Sequence, residues 1–354
     1  MYQGKKISVA MATYNGEKYI REQLESILNQ TVLPDEIIVS DDGSKDKTVE
    51  MIREIAGSEN GHAIKIFTDN PRHGFAFNFG NAVGHCSGDI VFLCDQDDVW
   101  LPNKVEKIAS VYERYKDALC VVHDASSIDA YGHPQANVVS SFLHSLAGHH
   151  NSGEVIRLPG DPNCERAASG PLINGLMMSV SRELLATAYP FPPIPSQHDG
   201  WLWFCAEAQD HCYFLNEILT YRRLHESNAS GAGKQGFGFQ RVKKILHNAS
   251  KHNEVARVRI LNAKYMQEYV ERYCTDDNPG VKLALPTISR VWEIGQKEIA
   301  AANSSRIVGS FKLIKLFITD VRYRRSGLKI FLYELADIVL HSKKQRVAKL
   351  QEMQ

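Results

Sequence analysis

Over the first 125 residues, short apolar runs alternate with stripes of apolar residues at helical spacing. Ile7-Ser-Val-Ala-Met-Ala-Thr13 has the character of a buried strand. Ile20, Leu24, Ile27 and Leu28 then recur on one helical face, with Asn15 as the expected N-cap. Pro34 ends that helix before a second strand, Glu36-Ile-Ile-Val-Ser40. Asp41-Asp-Gly-Ser44 reads as a turn, and Asp46 is placed to cap a helix striped by Val49, Ile52 and Ile55. A third strand falls at Ala63-Ile-Lys-Ile-Phe67, a helix over residues 75–85, and a fourth strand at Asp89-Ile-Val-Phe-Leu-Cys94. Pro102 opens a helix that reaches Tyr115, and Leu119-Cys-Val-Val-His123 is a fifth strand. This alternation predicts a parallel, three-layer α/β sheet.

Residues 132–170 are rich in Gly, Ser, His, Asn and Pro and read as a loop region, a flap over a site. Beyond them the pattern predicts a strand around Leu176–Val180, a helix from Ser181 and a turn set by Pro190, Pro192, Pro193 and Pro195. A helix from Asp199 and two strands, Cys212–Leu215 and Ile218–Tyr221, follow. The Gly-, Ser- and Ala-rich stretch from Ser227 to Gly238 is a natural boundary, after which helical periodicity dominates. The expected organisation is an α/β domain at residues 1–230 and a helical region at 231–354.

Charge supports the division. The chain holds 41 basic and 41 acidic residues; residues 1–230 take 18 and 30 of them, residues 231–354 the remaining 23 and 11. An acidic module of net −12 is thus followed by a basic one of net +12. Lipid headgroups, a nucleic acid and the acidic half itself are all candidate partners for the basic region. Seven cysteines, with no C-x-x-C pair and several in apolar runs, read as buried reduced thiols. No signal peptide and no run of about 18 apolar residues is legible. The expectation is a cytoplasmic protein, at most peripheral at the inner face of the cell membrane.

In parallel α/β sheets, ligands bind outside the carboxyl ends of the strands. Asp41 and Asp42 stand at one such end, Asp95, Asp97 and Asp98 at another, and Asp124 at a third. Asp46 and Asp129 read as turn formers. Three acids within four residues repel one another unless a cation is present, and hard oxygen ligands suit Mg²⁺ or Mn²⁺ shared with phosphate oxygens. Neither G-x-G-x-x-G after the first strand nor G-x-x-x-x-G-K-[ST] occurs, which argues against a dinucleotide dehydrogenase and a P-loop NTPase.

Four spaced blocks carry a resemblance. They are Ser8-Val-Ala-Met-Ala-Thr13-Tyr14-Asn15-Gly16, Ile27-Leu-Asn-Gln30-Thr31, Glu36-Ile-Ile-Val-Ser-Asp41-Asp42-Gly43-Ser44, and Phe92-Leu-Cys-Asp95-Gln96-Asp97-Asp98-Val-Trp100-Leu-Pro102-Asn-Lys104. In this order they resemble family-2, GT-A-fold glycosyltransferases, the last block being similar to the D-x-D metal motif of bacterial rhamnosyltransferase-like members. Asn174-Gly175, His198-Asp199-Gly200-Trp201 and Tyr221-Arg222-Arg223-Leu-His225-Glu-Ser-Asn228 extend the likeness to about residue 230. The Q-x-x-R-W block of processive synthases is missing.

The resemblance implies a GT-A domain that moves a sugar from dTDP-rhamnose or a UDP-sugar, with inversion, onto an acceptor hydroxyl in cell-surface polysaccharide synthesis. Thr13, Tyr14, Asn15, Asp41, Asp42, Asp95 and Gln96 should line the nucleotide pocket. Asp95, Asp97 and His225 should hold Mg²⁺ or Mn²⁺, and Arg222 or Arg223 should add charge. Asp199 should be the general base, and Asn174, Gly175, His198 and Trp201 should meet the donor or acceptor sugar. The implied partners are a nucleotide-diphosphate sugar and a saccharide or lipid-linked saccharide acceptor, with no nucleic acid. The apolar and cationic segment at residues 311–325 reads equally as an interfacial membrane helix, a packing helix or a homodimer contact. His144, His149 and His150 read as loop residues. A catalytically silent nucleotide-sugar-binding or scaffold protein is the alternative, and a nucleotidyltransferase is a third reading.

Overall fold

The computed structural model describes residues 1–59, 61, 63–68, 74–138, 150–158, 174–192, 198–226, 228, 252–275 and single positions between 281 and 300. The expected alternation is present: β1 (Ile7–Thr13), α1 (Ile20–Leu28), β2 (Glu36–Asp41), α2 (Thr48–Ala56), β3 (Ile64–Phe67), α3 (Phe75–His85) and β4 (Ile90–Cys94). β1 pairs in parallel with β2 and β4, and β2 with β3. Thr13 stands opposite Asp41 and Met11 opposite Cys94, so the acids that follow β2 and β4 leave the sheet at the same edge. Ile7, Val9, Met11, Ile37, Val39 and Phe92 are fully buried, with Ile20, Leu24, Ile27 and Ile52 facing them from the helices. Each such side chain contributes roughly 1.5–3 kcal/mol by leaving water.

Two local expectations change. Helix α1 begins at Ile20 with Tyr19 at its N-cap and no side-chain cap. Asn15 sits upstream in the left-handed region at φ 50°, a conformation asparagine tolerates better than most residues. Its Oδ1 accepts from the Lys45 N–H at 2.8 Å, so it ties two loops together instead of capping a helix. The helix expected to open at Pro102 is α4 (Lys104–Arg114), and Gln30 sews its start to the end of α1. Gln30 Nε2 donates to Leu101 O at 2.7 Å and Oε1 accepts from Val105 N at 3.0 Å.

The sheet is mixed, not purely parallel. After β5 (Val99–Trp100) and α4 come β6 (Cys120–Ile128), β7 (Pro134–Val138), β8 (Val155–Arg157), β9 (Met178–Ser181), α5 (Arg182–Ala188), α6 (His198–Ala208) and β10 (Cys212–Arg223). The order is β3-β2-β1-β4-β9-β6-β10-β5, with β7 on β6 and β8 on β10. β9 lies antiparallel between β4 and β6 and is entered from a 3₁₀ turn, Gly175–Met177. The two strands expected near residue 215 are one. Its register against β6 shifts twice between Leu215 and Thr220, the irregularities absorbing Asn216-Glu217 and Leu219. Asn216 is anchored there, its Nδ2 donating to His150 O and Asn151 O at 3.0 Å each. Within the region read as loop, residues 134–138 and 155–157 are strands.

Contacts divide the chain into one unit of residues 1–161, 171–233 and 273–281 and another of 162–170, 234–272 and 282–354. In the latter, α7 (His252–Tyr273) buries Ala263, Met266, Tyr269 and Val270 on one face. Among the described residues no helix is long and apolar enough to cross a membrane, and six cysteines are free thiols, five of them buried. His144, His149, Cys164, Pro193, Pro195, most of the 227–238 boundary and the 311–325 segment lie outside the described residues.

Candidate active site

The carboxyl edge of β1, β2 and β4 gathers the first group of expected residues. Thr13 is buried at the end of β1 and donates its hydroxyl to Asp41 Oδ2 at 2.8 Å. Asp41 also accepts from Gly43 N at 3.0 Å, Ser44 N at 2.8 Å and Ser44 Oγ at 2.6 Å, so its carboxylate organises the turn after β2. Asp42 is buried beside it; its N–H donates to Thr13 O at 2.9 Å, and its Oδ2 accepts from Gly74 N at 3.1 Å. Gly74 has φ 89°, which lets the chain turn into α3 with that N–H aimed at Asp42.

Gln96 clamps the loop after β4 to the loop after β1. Its Oε1 accepts from Tyr14 N at 2.8 Å and its Nε2 donates to Tyr14 O at 3.0 Å, so both ends of its amide are engaged by Tyr14. A Cβ at Gly16 would fall 2.3 Å from Gln96 Oε1, so the close approach needs glycine there. Tyr14 is half-buried at this junction.

The second group comes from the end of β10. His225 Nε2 lies 2.8 Å from Asp97 Oδ2, and Asn228 Nδ2 lies 3.4 Å from the same oxygen. The Tyr19 ring flanks His225 with centroids 4.7 Å apart. Arg223, 2% exposed, donates Nε to Asp97 O at 3.0 Å and Nη2 to Glu22 Oε2 at 2.6 Å, and lies over the Tyr19 ring. Its backbone N–H donates to Asp98 Oδ1 at 2.9 Å, so Asp98 fastens β10 and does not cap α4.

The third group is the start of α6. Asp199 is buried; its Oδ2 accepts from Gly175 N at 3.2 Å and its Oδ1 from Gly200 N at 2.8 Å. Asn174 precedes the Gly175–Met177 turn in extended backbone, its carbonyl accepting from Met177 N at 3.0 Å. His198 is buried, stacked on Phe79 at 3.9 Å. Trp201 donates its indole N–H to Ala188 O at 2.8 Å and stacks on Phe204.

Electrostatics shows how these groups converge. Burial, then the Asp97 and Asp199 carboxylates, push Asp95 up to about 7, against the opposing charges of Arg222 and Lys104. Asp199, from a helix far along the chain, is therefore close enough to act on the acid that follows β4. Burial pushes Asp199 itself up to about 6, opposed by the Gly200 and Gly175 N–H groups. Asp98 is held well above the usual range by burial and by Asp97 and Asp95. Among the described residues no group of three or more His, Cys, Asp or Glu side chains is gathered as a metal-holding cluster. The donor set nonetheless fits a hard divalent ion: Asp95 and Asp97 repel each other, and His225 stands on Asp97 with its ring nitrogen.

Tyr19, Phe79 and the burial of Lys104 were not legible in the sequence. Each depends on what a distant segment places beside it, and only Lys104, inside the D-x-D block, had any signal.

Comparison with known proteins bears on the family and the fold. Residues 8–155 match the model of glycosyl transferase family 2. A glycosyltransferase of Nostoc sp. is 30% identical over 227 residues, covering 63% of this chain and 66% of that protein. The Escherichia coli UDP-Glc:alpha-D-GlcNAc-diphosphoundecaprenol beta-1,3-glucosyltransferase is 29% identical over 39% of this chain and 54% of its own length. The chain thus spans two thirds or less of these relatives. The crystal structure of S. aureus TarS superposes with a TM-score of 0.51 at 16% identity, covering 94% of this chain and 55% of TarS, a likeness of fold. The matched stretch takes in the same strand ends that carry the acids, and on that footing the chain is a homologue of bacterial glycosyltransferases that carries a family 2 domain on a GT-A-like fold.

Proposed function

We propose that this chain is an inverting glycosyltransferase that moves a sugar from a UDP-sugar or dTDP-rhamnose onto a hydroxyl of a saccharide or lipid-linked saccharide, in cell-surface polysaccharide synthesis. The observation that carries the reading is the buried Asp199 carboxylate, whose charge acts on Asp95 after β4. An inverting transfer needs a carboxylate across from the departing diphosphate, and Asp199 is a buried carboxylate whose proton affinity, about 6, suits a base at neutral pH.

Asp42 and Tyr14, at the ends of β2 and β1, would line the nucleoside pocket. Asp95, Asp97 and His225 would hold Mg²⁺ or Mn²⁺, which supplies Lewis-acid neutralisation of the diphosphate. Arg222, whose charge is felt at Asp95, adds a fixed cation on the same side. Asp199 takes the acceptor proton, and the N–H groups of Gly175 and Gly200 hold its carboxylate in place. Positioned proton transfer of this kind contributes typically ~10²–10⁴-fold in rate. The E. coli relative is named for a UDP-glucose donor and a diphosphoundecaprenol-linked acceptor, which supports these substrate classes. Contact with anionic lipid or a second copy through residues 311–325 belongs to the same proposal. Loss of liposome sedimentation on deleting 305–354 would support the membrane form, and no binding by the intact chain would remove it.

The test is a thermal-shift panel of UDP, dTDP and GDP with and without Mn²⁺, followed by nucleotide release from the matching sugar donor. Stabilisation grows as RT ln(1 + [L]/Kd), so the true nucleotide separates from the others. Binding without release, with acceptor present, would favour the silent nucleotide-sugar-binding reading.

A further inference from the structure

Lys104 opens α4, directly after the acid-rich loop, and is 1% exposed. A lysine this deeply buried is rare unless its charge has partners. Its ammonium donates to Leu176 O at 2.8 Å and to Thr220 Oγ1 at 2.9 Å, and lies 3.8 Å from the Trp100 ring centroid. Two oxygens and one aromatic face thus account for its three protons. The partners come from three segments: Trp100 from β5, Thr220 from β10 and Leu176 from the 3₁₀ turn that leads into β9.

Leu176 is the middle residue of that turn, and the residue before it, Gly175, gives its N–H to Asp199 Oδ2. Room here is short, since a Cβ on Gly175 would stand 3.1 Å from His198 Nε2. We propose that Lys104 is a positioning residue for the catalytic base: by holding the Leu176 carbonyl, it keeps the Gly175 N–H aimed at the Asp199 carboxylate. The inference rests on the reading of Asp199 as the base.

The groups that act on the two ends of this link are few. The charges of Asp95 and Asp199 act on each other, and the Gly175 and Gly200 N–H groups hold the carboxylate itself. Cys94, Asp98 and Asp95 act electrostatically on the ammonium, which in turn helps hold His123 of β6 below its ordinary range. An N–H bond to the ionised carboxylate favours the ion, so losing it raises the proton affinity of Asp199.

The experiment uses the full chain, with release of UDP from UDP-glucose or of dTDP from dTDP-rhamnose, whichever donor turns over. Lys104→Met keeps an unbranched chain one atom shorter and removes the donors. It should lower kcat about 30-fold, within the cost of a misplaced catalytic group, and shift the acid limb of the kcat/KM profile up by about half a unit. Donor KM should stay within about threefold, the binding interactions being untouched. Lys104→Gln, which restores two N–H donors without charge, should recover most of kcat and return the limb. A folded Lys104→Met protein with the parent limb overturns the inference, as does a Gln variant no better than Met. Should neither variant fold, Thr220→Val carries the test, and an unmoved acid limb there overturns it. Asp199→Asn in the same assay separates the two readings. Full turnover by that variant removes the base assignment itself, whereas an inactive Asp199→Asn beside an unaffected Lys104→Met removes only the lysine.

Discussion

His225 Nε2 and Asp97 Oδ2 lie 2.8 Å apart, joining the end of β10 to the loop after β4, with both side chains largely buried. Asn228 steadies the histidine from its own loop, its Oδ1 accepting from His225 N at 2.6 Å. A ring nitrogen fixed on a carboxylate oxygen in this way is positioned to share a divalent ion with it. His225→Ala should raise the Mn²⁺ concentration for half-maximal turnover roughly tenfold or more. An unchanged Mn²⁺ titration would sink the shared-ligand assignment.

Asp199 makes a paired prediction. The base must be ionised, so kcat/KM should fall below pH 6, where its carboxyl takes up a proton. Asp199→Asn should lower turnover by about a hundredfold or more and leave nucleotide binding nearly intact. Its folded proton affinity is raised, so the fold is favoured with the group protonated and loses that advantage as pH rises through about 6. The Asn variant should therefore melt at or above the parent at pH 8. A calorimetric scan checks the second half, and near-normal turnover would falsify the first.

Arg223 is the brace behind the acid-rich loop. A lysine cannot make both of its guanidinium contacts, to Asp97 O and to Glu22, while keeping its plane over Tyr19. Because Glu22 is more than half exposed, Arg223→Lys should cost only about 1–3 kcal/mol. Urea denaturation reads this directly; a midpoint equal to the parent's would count against the brace.

Glu36, at the start of β2, offers an acid-stability test far from the chemistry. Burial would raise its proton affinity, but donors from Ser8, Ser87 and Lys65 outweigh it and bring the carboxyl down to about 2. A depressed carboxyl stabilises the fold above its ordinary range, near 4.5, and that contribution is lost as pH falls from there toward 2. Glu36→Gln should cost about 1–3 kcal/mol at pH 7 and little at pH 2. Equal costs at both values would remove the linkage.

The amino-acid order alone determined β1 to β4, the helices between them and the acids at their ends. Those features depend on local periodicity and on the expense of placing a carboxylate after an apolar strand. The register of β1 with β2 and β4 then brings Asp41, Asp42 and Asp95 to one edge almost automatically. The tertiary structure decided what local pattern cannot encode. The direction of β9 shows only in its antiparallel pairing with β4 and β6, and the fusion of the last two strand signals into β10 needed β6 and residues 150–154 as partners. The charge of Asp199 felt at Asp95 and the lodging of Lys104 against Leu176 also join segments far apart in the chain, and Trp201 engages Ala188 of the preceding helix. Burial and partner, not residue type, separate a base, a brace and a packing residue there, because both are properties of the assembled sheet.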